Sequence, residues 1–259
     1  HNLNLTYAIR DGIISHCGEM NQMSIKKRDE YIDLQNYTSP GQYSPYTWEG
    51  WVVKMADKIA YLARDIEDAL RLKVLKENKV EVLKASLNNI TSEYHFTAIN
   101  NGTVVNYFIQ DVCSHSNPSD GISLSKEAFE IMKTIMKFNY QNIYLIDRVQ
   151  IHTNYVKLIL NSIFDFFIKY DLMARDSNTN IIDEISKDKD QFPHAINGFI
   201  HWLEKYSVMN GAKRDSLYQN KVIYDFINDD KAIIKSILDY LSGMSDAYII
   251  QIFNELISF

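Results

Sequence analysis

An all-α, multi-helix fold is what this chain predicts, and three observations carry the expectation. Apolar residues recur at helical spacing along most of its length. Its 259 residues include only 4 prolines and 9 glycines, so the turn signals that would punctuate a β-sandwich at intervals of roughly ten residues are missing. With 46% hydrophobic residues, the chain can bury one large core or two smaller ones.

Leu5, Ala8, Ile9, Ile13 and Ile14 outline a first amphipathic helix. It should end near Cys17 and Gly18, where glycine can supply a left-handed cap. The segment MNQMSIKKRDEYIDLQNYTSPGQYSPY, 20–46, is polar, aromatic and interrupted by Pro40, Gly41 and Pro45. It is expected to be loop with a short helix around Lys26 to Leu34, its KKR at 26–28 solvated. Loops of this length are often functional. A strong helix follows from Trp48 to about Leu72, then a break near Asn78 and a further helix. Phe96 to Cys113 fits a helix, although INNGTVVNYF has the β-branched flavour of a strand. Ser123 and Ser125 offer N-caps to KEAFEIMKTIMKFNY. A long helix should run from about Arg148 to Leu172, and 174–193 should be a connector with one short helix. Three more helices are expected at 194–207, at 217–242 with a break near Asn228, and at 245–258. Gly243 and Ser245 would make the corner before the last one.

The run TWEGWVVKMADKIAYLARDIEDALRL, 47–72, is the most informative. At about 100° per residue, Val52, Met55, Ile59, Leu62, Ala63, Ile66, Ala69 and Leu70 share one arc, the expected core face. Asp57, Lys58, Tyr61, Arg64, Asp65 and Asp68 fill a complementary arc, because residues three and four apart lie above one another. An ordinary solvated face has the same pattern. A binding wall would use it differently. Hard divalent cations take oxygen ligands, so Asp57 beside Lys58 pairs a candidate metal ligand with a candidate phosphate contact. Tyr61 and Asp65, one and two turns on, could meet the less charged part of the same ligand through ring packing and a hydroxyl hydrogen bond.

Other chemistries are not suggested. The formal charge of −6 argues against a general nucleic-acid surface, which needs a basic stripe. Cys17 and Cys113 have no CxxC or Cys/His spacing. Neither a GxxxxGK[ST] phosphate loop, a GxGxxG, a GxSxG elbow nor an HExxH motif occurs. The histidines are scattered, and His194 and His201, seven apart on one predicted helix, are expected to be structural or surface groups. No apolar run reaches the roughly 18 residues of a membrane span; LILNSIFDFFI, 158–168, is broken by Asn161 and Asp165. A soluble, cytoplasmic protein is expected.

Three separated stretches carry a family likeness: LNLTYAIRDGIISHCGE at 3–19, TWEGWVVKMADKIAYLARDIEDAL at 47–70 and LDYLSGMSDAYIIQIFNEL at 238–256. The chain resembles the deoxyguanosine triphosphate triphosphohydrolase-like branch of the HD-domain phosphohydrolases. The resemblance implies that Asp57 is the final aspartate of a His, His-Asp, Asp metal set, that Lys58 contacts phosphate, that Tyr61 packs on the deoxyribose and that Asp65 accepts from the sugar 3′-hydroxyl. It further implies a divalent metal such as Mg²⁺ or Mn²⁺, a deoxynucleoside triphosphate substrate cleaved to deoxynucleoside and triphosphate, and a homo-oligomer. In the family the first His and the His-Asp pair precede the LNLT segment. Here only His1 and Asn2 do so, and no His-Asp dipeptide occurs in the chain. Residues 1–80 are therefore expected to be the C-terminal part of an HD-type catalytic domain and 81–259 a C-terminal helical domain. The missing N-terminal segment is then a required partner, and this piece alone should neither hold the metal nor turn over. The alternative is a catalytically silent helical module for oligomerisation or nucleotide sensing.

Overall fold

Burial of Trp51, Met55, Ile59, Leu62 and Ile66, all at or below 6% exposure, makes the 47–72 run the centre of a helical core. The computed structural model describes residues 3–18, 23–177, 179–207, 222–226, 229 and 231–258. These residues are predominantly helical, and they fall in two compact units, His1–Gln150 and Ile151–Phe259.

In the first unit α1 spans Tyr7–Ser15, capped by the Thr6 hydroxyl, which accepts from the Ile9 amide. A short strand, β1 (Ser24–Ile25), pairs antiparallel with β2 (Ile122–Ser123). The helix expected at 26–34 does not form; a single 3₁₀ turn, Leu34–Asn36, lies at its end. The central run is divided: α2 covers Trp48–Leu62, Ala63 separates the two, and α3 covers Arg64–Arg71. The next break falls at 72–76, where Lys73 has a positive φ of 55°, and Asn78 lies inside α4 (Glu77–Ile90). The strand-like INNGTVVNYF belongs to α5 (Asn101–His115), because Asn100 and Thr103 close a reciprocal capping box at its start. Ser125 caps α6 (Lys126–Asn139), which passes into a π-helical turn, Tyr140–Tyr144.

Two inward positions differ from the periodic expectation. Val52 is 51% exposed and Trp51 is 3% exposed: Trp51, Met55, Ile59 and Leu62 are spaced four, four and three apart and share a stripe that Val52 misses by about 100°. Lys54, also buried, donates to the carbonyls of Ser15 at 3.3 Å and Cys17 at 2.8 Å. It thus places its charge at the C-terminal end of α1, where helix carbonyls lack partners.

In α1 the expectation is inverted. Asp11 and Ser15 are its buried residues, whereas Leu5, Ile9 and Ile13 are 37%, 50% and 55% exposed. The helix meets α2 along its small polar edge, where a Cβ on Gly12 would lie 3.7 Å from the Gly50 Cα. Asp11 accepts from Arg28 and, at 2.8 Å, from the Tyr46 amide. Arg28 also donates to the Tyr7 hydroxyl at 2.7 Å and to the Ser44 carbonyl. The KKR segment is therefore not simply solvated: its third residue is the strap that ties the 24–46 loop to α1.

The second unit is built on α7 (Asp147–Ser177), whose Phe167 and Tyr170 pack with Phe199, Ile237 and Ile252. The short helix of the connector is α8 (Ile181–Ser186), followed by α9 (Pro193–Tyr206), α10 (Ala232–Ser242) and α11 (Asp246–Ile257). Of the helix expected at 217–242, residues 217–221 and the break at Asn228 lie outside the described residues. Residues 222–226 are not helical, since Tyr224 bridges Ser207. The α10–α11 corner forms as expected, with Gly243 following α10 and the Ser245 hydroxyl accepting from the Tyr248 amide at 3.3 Å.

Candidate functional site

Asp57, Lys58 and Tyr61 lie on α2, and Asp65 lies in the first turn of α3. The polar arc thus crosses a helix junction instead of running along one rod. Asp57 is exposed, and Lys58, Tyr61 and Asp65 are half-buried. The Lys58 ammonium sits 5.8 Å from the centroid of the Tyr61 ring, a cation–π distance. Arg64 and Arg71 both pair with Asp68, at 3.3 and 3.0 Å, so that part of the arc is occupied by exchange among its own charges.

Tyr61 also forms one wall of a cavity of about 350 Å³ whose other lining residues are Met136, Lys137, Asn139, Tyr140 and Tyr144. The carboxamide of Asn139, 1% exposed, donates to the Leu62 carbonyl at 2.8 Å, which fastens α6 to the end of α2. Its oxygen is buried without a hydrogen-bond partner. From the π-helical turn, the Tyr144 hydroxyl donates to Asp65 Oδ2. Burial, and then this bond and the Asp65 charge, push the Tyr144 phenol above its ordinary range. The phenol therefore keeps its proton and remains a donor at neutral pH. The periodic pattern singled out Tyr61 and Asp65, but nothing in it pointed to Tyr144, which lies 79 positions along the chain from Asp65.

Asp57 offers a metal one carboxylate. Among the described residues no three side chains of His, Cys, Asp or Glu gather as a ligand set, so the residues present do not by themselves fit a catalytic metal ion. His194 and His201 lie exposed on α9, away from any such set. No helix among the described residues is long and apolar enough to cross a membrane.

Fold and site together define a predominantly helical protein in which a polar helix face leads to a tyrosine-walled cavity. No family model matches the chain. Among curated proteins it is similar to a deoxyguanosinetriphosphate triphosphohydrolase-like protein of Clostridium tetani, 26% identical over 255 residues, 98% of this chain and 54% of that protein. A protein of the same description from Clostridium perfringens is 25% identical over 263 residues, again 98% of this chain and 54% of the relative. One from Desulfatibacillum aliphaticivorans is 30% identical over 171 residues, 64% of this chain and 42% of the relative. These likenesses support the deoxyguanosinetriphosphate triphosphohydrolase-like family, the first two of them over 98% of this chain. The chain spans about half the length of the first two of these relatives.

Proposed function

We propose that this chain is the C-terminal part of a metal-dependent deoxynucleoside triphosphate triphosphohydrolase, with residues 1–80 completing an HD-type catalytic domain and 81–259 forming the helical domain behind it. The likeness to triphosphohydrolase-like relatives over 98% of the chain is the observation that carries the reading. Residue 80 lies within α4 of the first unit, so the proposed boundary is one of function within a shared core. The apolar residues that α1 turns outward support an upstream segment that covers them.

In this reading each residue of the polar arc has one task. Asp57 contributes a single carboxylate to a divalent metal such as Mg²⁺ or Mn²⁺ whose remaining ligands lie upstream. When bound, that metal supplies Lewis-acid polarisation of phosphate oxygens. Lys58 neutralises charge on the triphosphate, Tyr61 packs against the deoxyribose, and Asp65 accepts a hydrogen bond from the sugar 3′-hydroxyl. The cavity beside Tyr61 gives the rest of the nucleoside room to enter. A homo-oligomer is part of the same proposal.

The test uses the longer parent protein. Asp57→Asn keeps the shape and removes the charge, so metal binding and triphosphate release should fall together. Asp65→Asn should leave metal binding intact and raise KM by weakening the sugar contact, on the order of 1.5–3 kcal/mol. Normal turnover by Asp57→Asn would overturn the assignment. The 259-residue chain alone, given deoxynucleoside triphosphates and Mn²⁺, should release no triphosphate. Turnover at about 1 per second would show that the active site lies elsewhere. A second reading, a catalytically silent module for oligomerisation or nucleotide sensing, is favoured by the solitary position of Asp57 among the described residues. Sequence upstream of His1 decides between the two: a His followed in frame by a His-Asp pair supports the hydrolase.

A further inference from the structure

We infer that Lys54 is a positioning residue that limits the length of the phosphate chain: its buried ammonium fixes the end of α1 across the N-terminal end of the polar arc, where a chain longer than a triphosphate meets a wall. The inference rests on the reading of Lys58, Tyr61 and Asp65 given above and adds what closes the far end of their line.

Lys54 lies on α2 four residues before Lys58 and seven before Tyr61, so the three share one face of the helix. With the sugar at Tyr61 and Asp65 and the phosphates beginning at Lys58, the phosphate chain points toward Lys54. At a rise of about 1.5 Å per residue, the level of Lys54 is only about 6 Å beyond that of Lys58. The open face ends there. Lys58 is half-buried, whereas Lys54 is 4% exposed, because the end of α1 meets it: the ammonium donates to the carbonyls of Ser15 at 3.3 Å and Cys17 at 2.8 Å.

Two further contacts hold that end in place. A Cβ on Gly12 would lie 3.7 Å from the Gly50 Cα, so α1 runs close against α2 before it reaches Lys54. Just beyond Cys17, Gly18 turns with a φ of 97°, and a Cβ there would lie 2.6 Å from the Gly41 Cα. No side chain fits between those two glycines. The wall is therefore backbone, fixed from both sides, and its chemistry rejects a further phosphate. Carbonyls at the C-terminal end of a helix carry partial negative charge, and the Lys54 ammonium is already engaged in offsetting it. Hydrogen bonds from a charged donor are about twice as strong as neutral ones, so the end of α1 does not give way easily.

The experiment is run in the longer parent protein and measures deoxyguanosine release from deoxyguanosine triphosphate and from deoxyguanosine 5′-tetraphosphate with Mn²⁺ present. Wild type should show a kcat/KM for the tetraphosphate about tenfold or more below that for the triphosphate. Lys54→Met keeps most of the length of the side chain and removes its charge, and it should bring the two substrates within about threefold, chiefly by lowering KM for the tetraphosphate. Lost stability alone would lower both rates together and leave their ratio unchanged. Gly18→Ala must displace the end of α1 without touching Lys54. It should narrow the ratio in the same direction, and it serves if Lys54→Met does not fold. Equal turnover of the two substrates by wild type overturns the inference and leaves the reading of the polar arc standing, as does a ratio that Lys54→Met and Gly18→Ala both leave untouched. Wild type that releases deoxyguanosine from neither substrate overturns the reading of the arc and the inference with it.

Discussion

Asp11 and Arg28 show how much a single buried charge can organise. The Asp11 side chain is 1% exposed and that of Arg28 12%, so neither is hydrated by bulk water as it would be at the surface. Removing one partner of such a pair strands the other, at a cost of about 3 kcal/mol. Asp11→Ala should therefore lower the urea midpoint of unfolding by that order and release the 24–46 loop, measurable as faster amide exchange there. A change within about 0.5 kcal/mol would mean that the pair contributes little. Gly198 makes the opposite kind of demand. A Cβ there would lie 2.2 Å from the Tyr248 hydroxyl and 2.3 Å from that of Tyr240, two groups hydrogen-bonded to each other at 3.0 Å. Although alanine is the better helix former, Gly198→Ala should destabilise by about 1–3 kcal/mol through overpacking. Thermal unfolding followed by circular dichroism checks the sign.

At the scale of elements, α1 is the informative case because its two faces have exchanged their usual places. Leu5, Ile9 and Ile13 project outward while Asp11 and Ser15 are buried. An exposed apolar stripe of this kind favours association in water. The chain alone should show concentration-dependent association in light scattering, and Ile9→Lys with Ile13→Lys should suppress it without lowering the melting temperature, since neither side chain is in the core. Strictly monomeric behaviour of the unmodified chain would argue against an interface there. The junction between α2 and α3 teaches a related lesson. Periodicity continued smoothly through Ala63, but the helix is interrupted there, and Asp65 opens a new first turn, a position where a carboxylate is also favoured by the helix dipole. Its occupancy by an acid thus has a local reason as well as the proposed one.

Across the whole molecule the tyrosines set the response to alkali. Burial first, and then a neighbouring carboxylate or, for Tyr240, the Tyr248 hydroxyl, raise the phenols of Tyr107, Tyr144, Tyr170, Tyr224 and Tyr240 above their ordinary value. The unfolded chain ionises its phenols near pH 10, while the folded chain keeps these protonated to higher pH. The folded state then binds more protons, so stability is fully present below about pH 10 and falls as pH rises above it. The phenolate absorbance of these five should appear together with loss of helical circular dichroism. Ionisation of all the tyrosines with the helices intact would contradict this. At the acid end Glu184, held by Lys187 at 2.6 Å and Thr179 at 2.7 Å, titrates below its ordinary range. It contributes stability above about pH 4 that is lost as pH falls.

By itself the sequence determined what depends on neighbours a few positions away. Helical class, the Ser125 and Ser245 caps, the α10–α11 corner and the arc joining Asp57, Lys58, Tyr61 and Asp65 all follow from periods of three to four residues and from capping chemistry. A family likeness in three separated stretches was equally legible, because it needs no coordinates. Tertiary structure decided what depends on contacts between distant segments. The strand-like residues of α5 are helical because its apolar side chains Val104, Tyr107 and Phe108 pack in the first unit's core. Trp51 replaces Val52 inside because the arrangement of neighbouring helices, which periodicity leaves open, fixes where the buried stripe lies. Lys54 and Asp11 are buried, and Arg28 half-buried, because each finds partners on another segment, and a single helical wheel contains no information about them. The bond from Tyr144 to Asp65 belongs to the same class: a π-helical turn far along the chain aims a phenol at the polar arc, and only the folded core brings the two within reach.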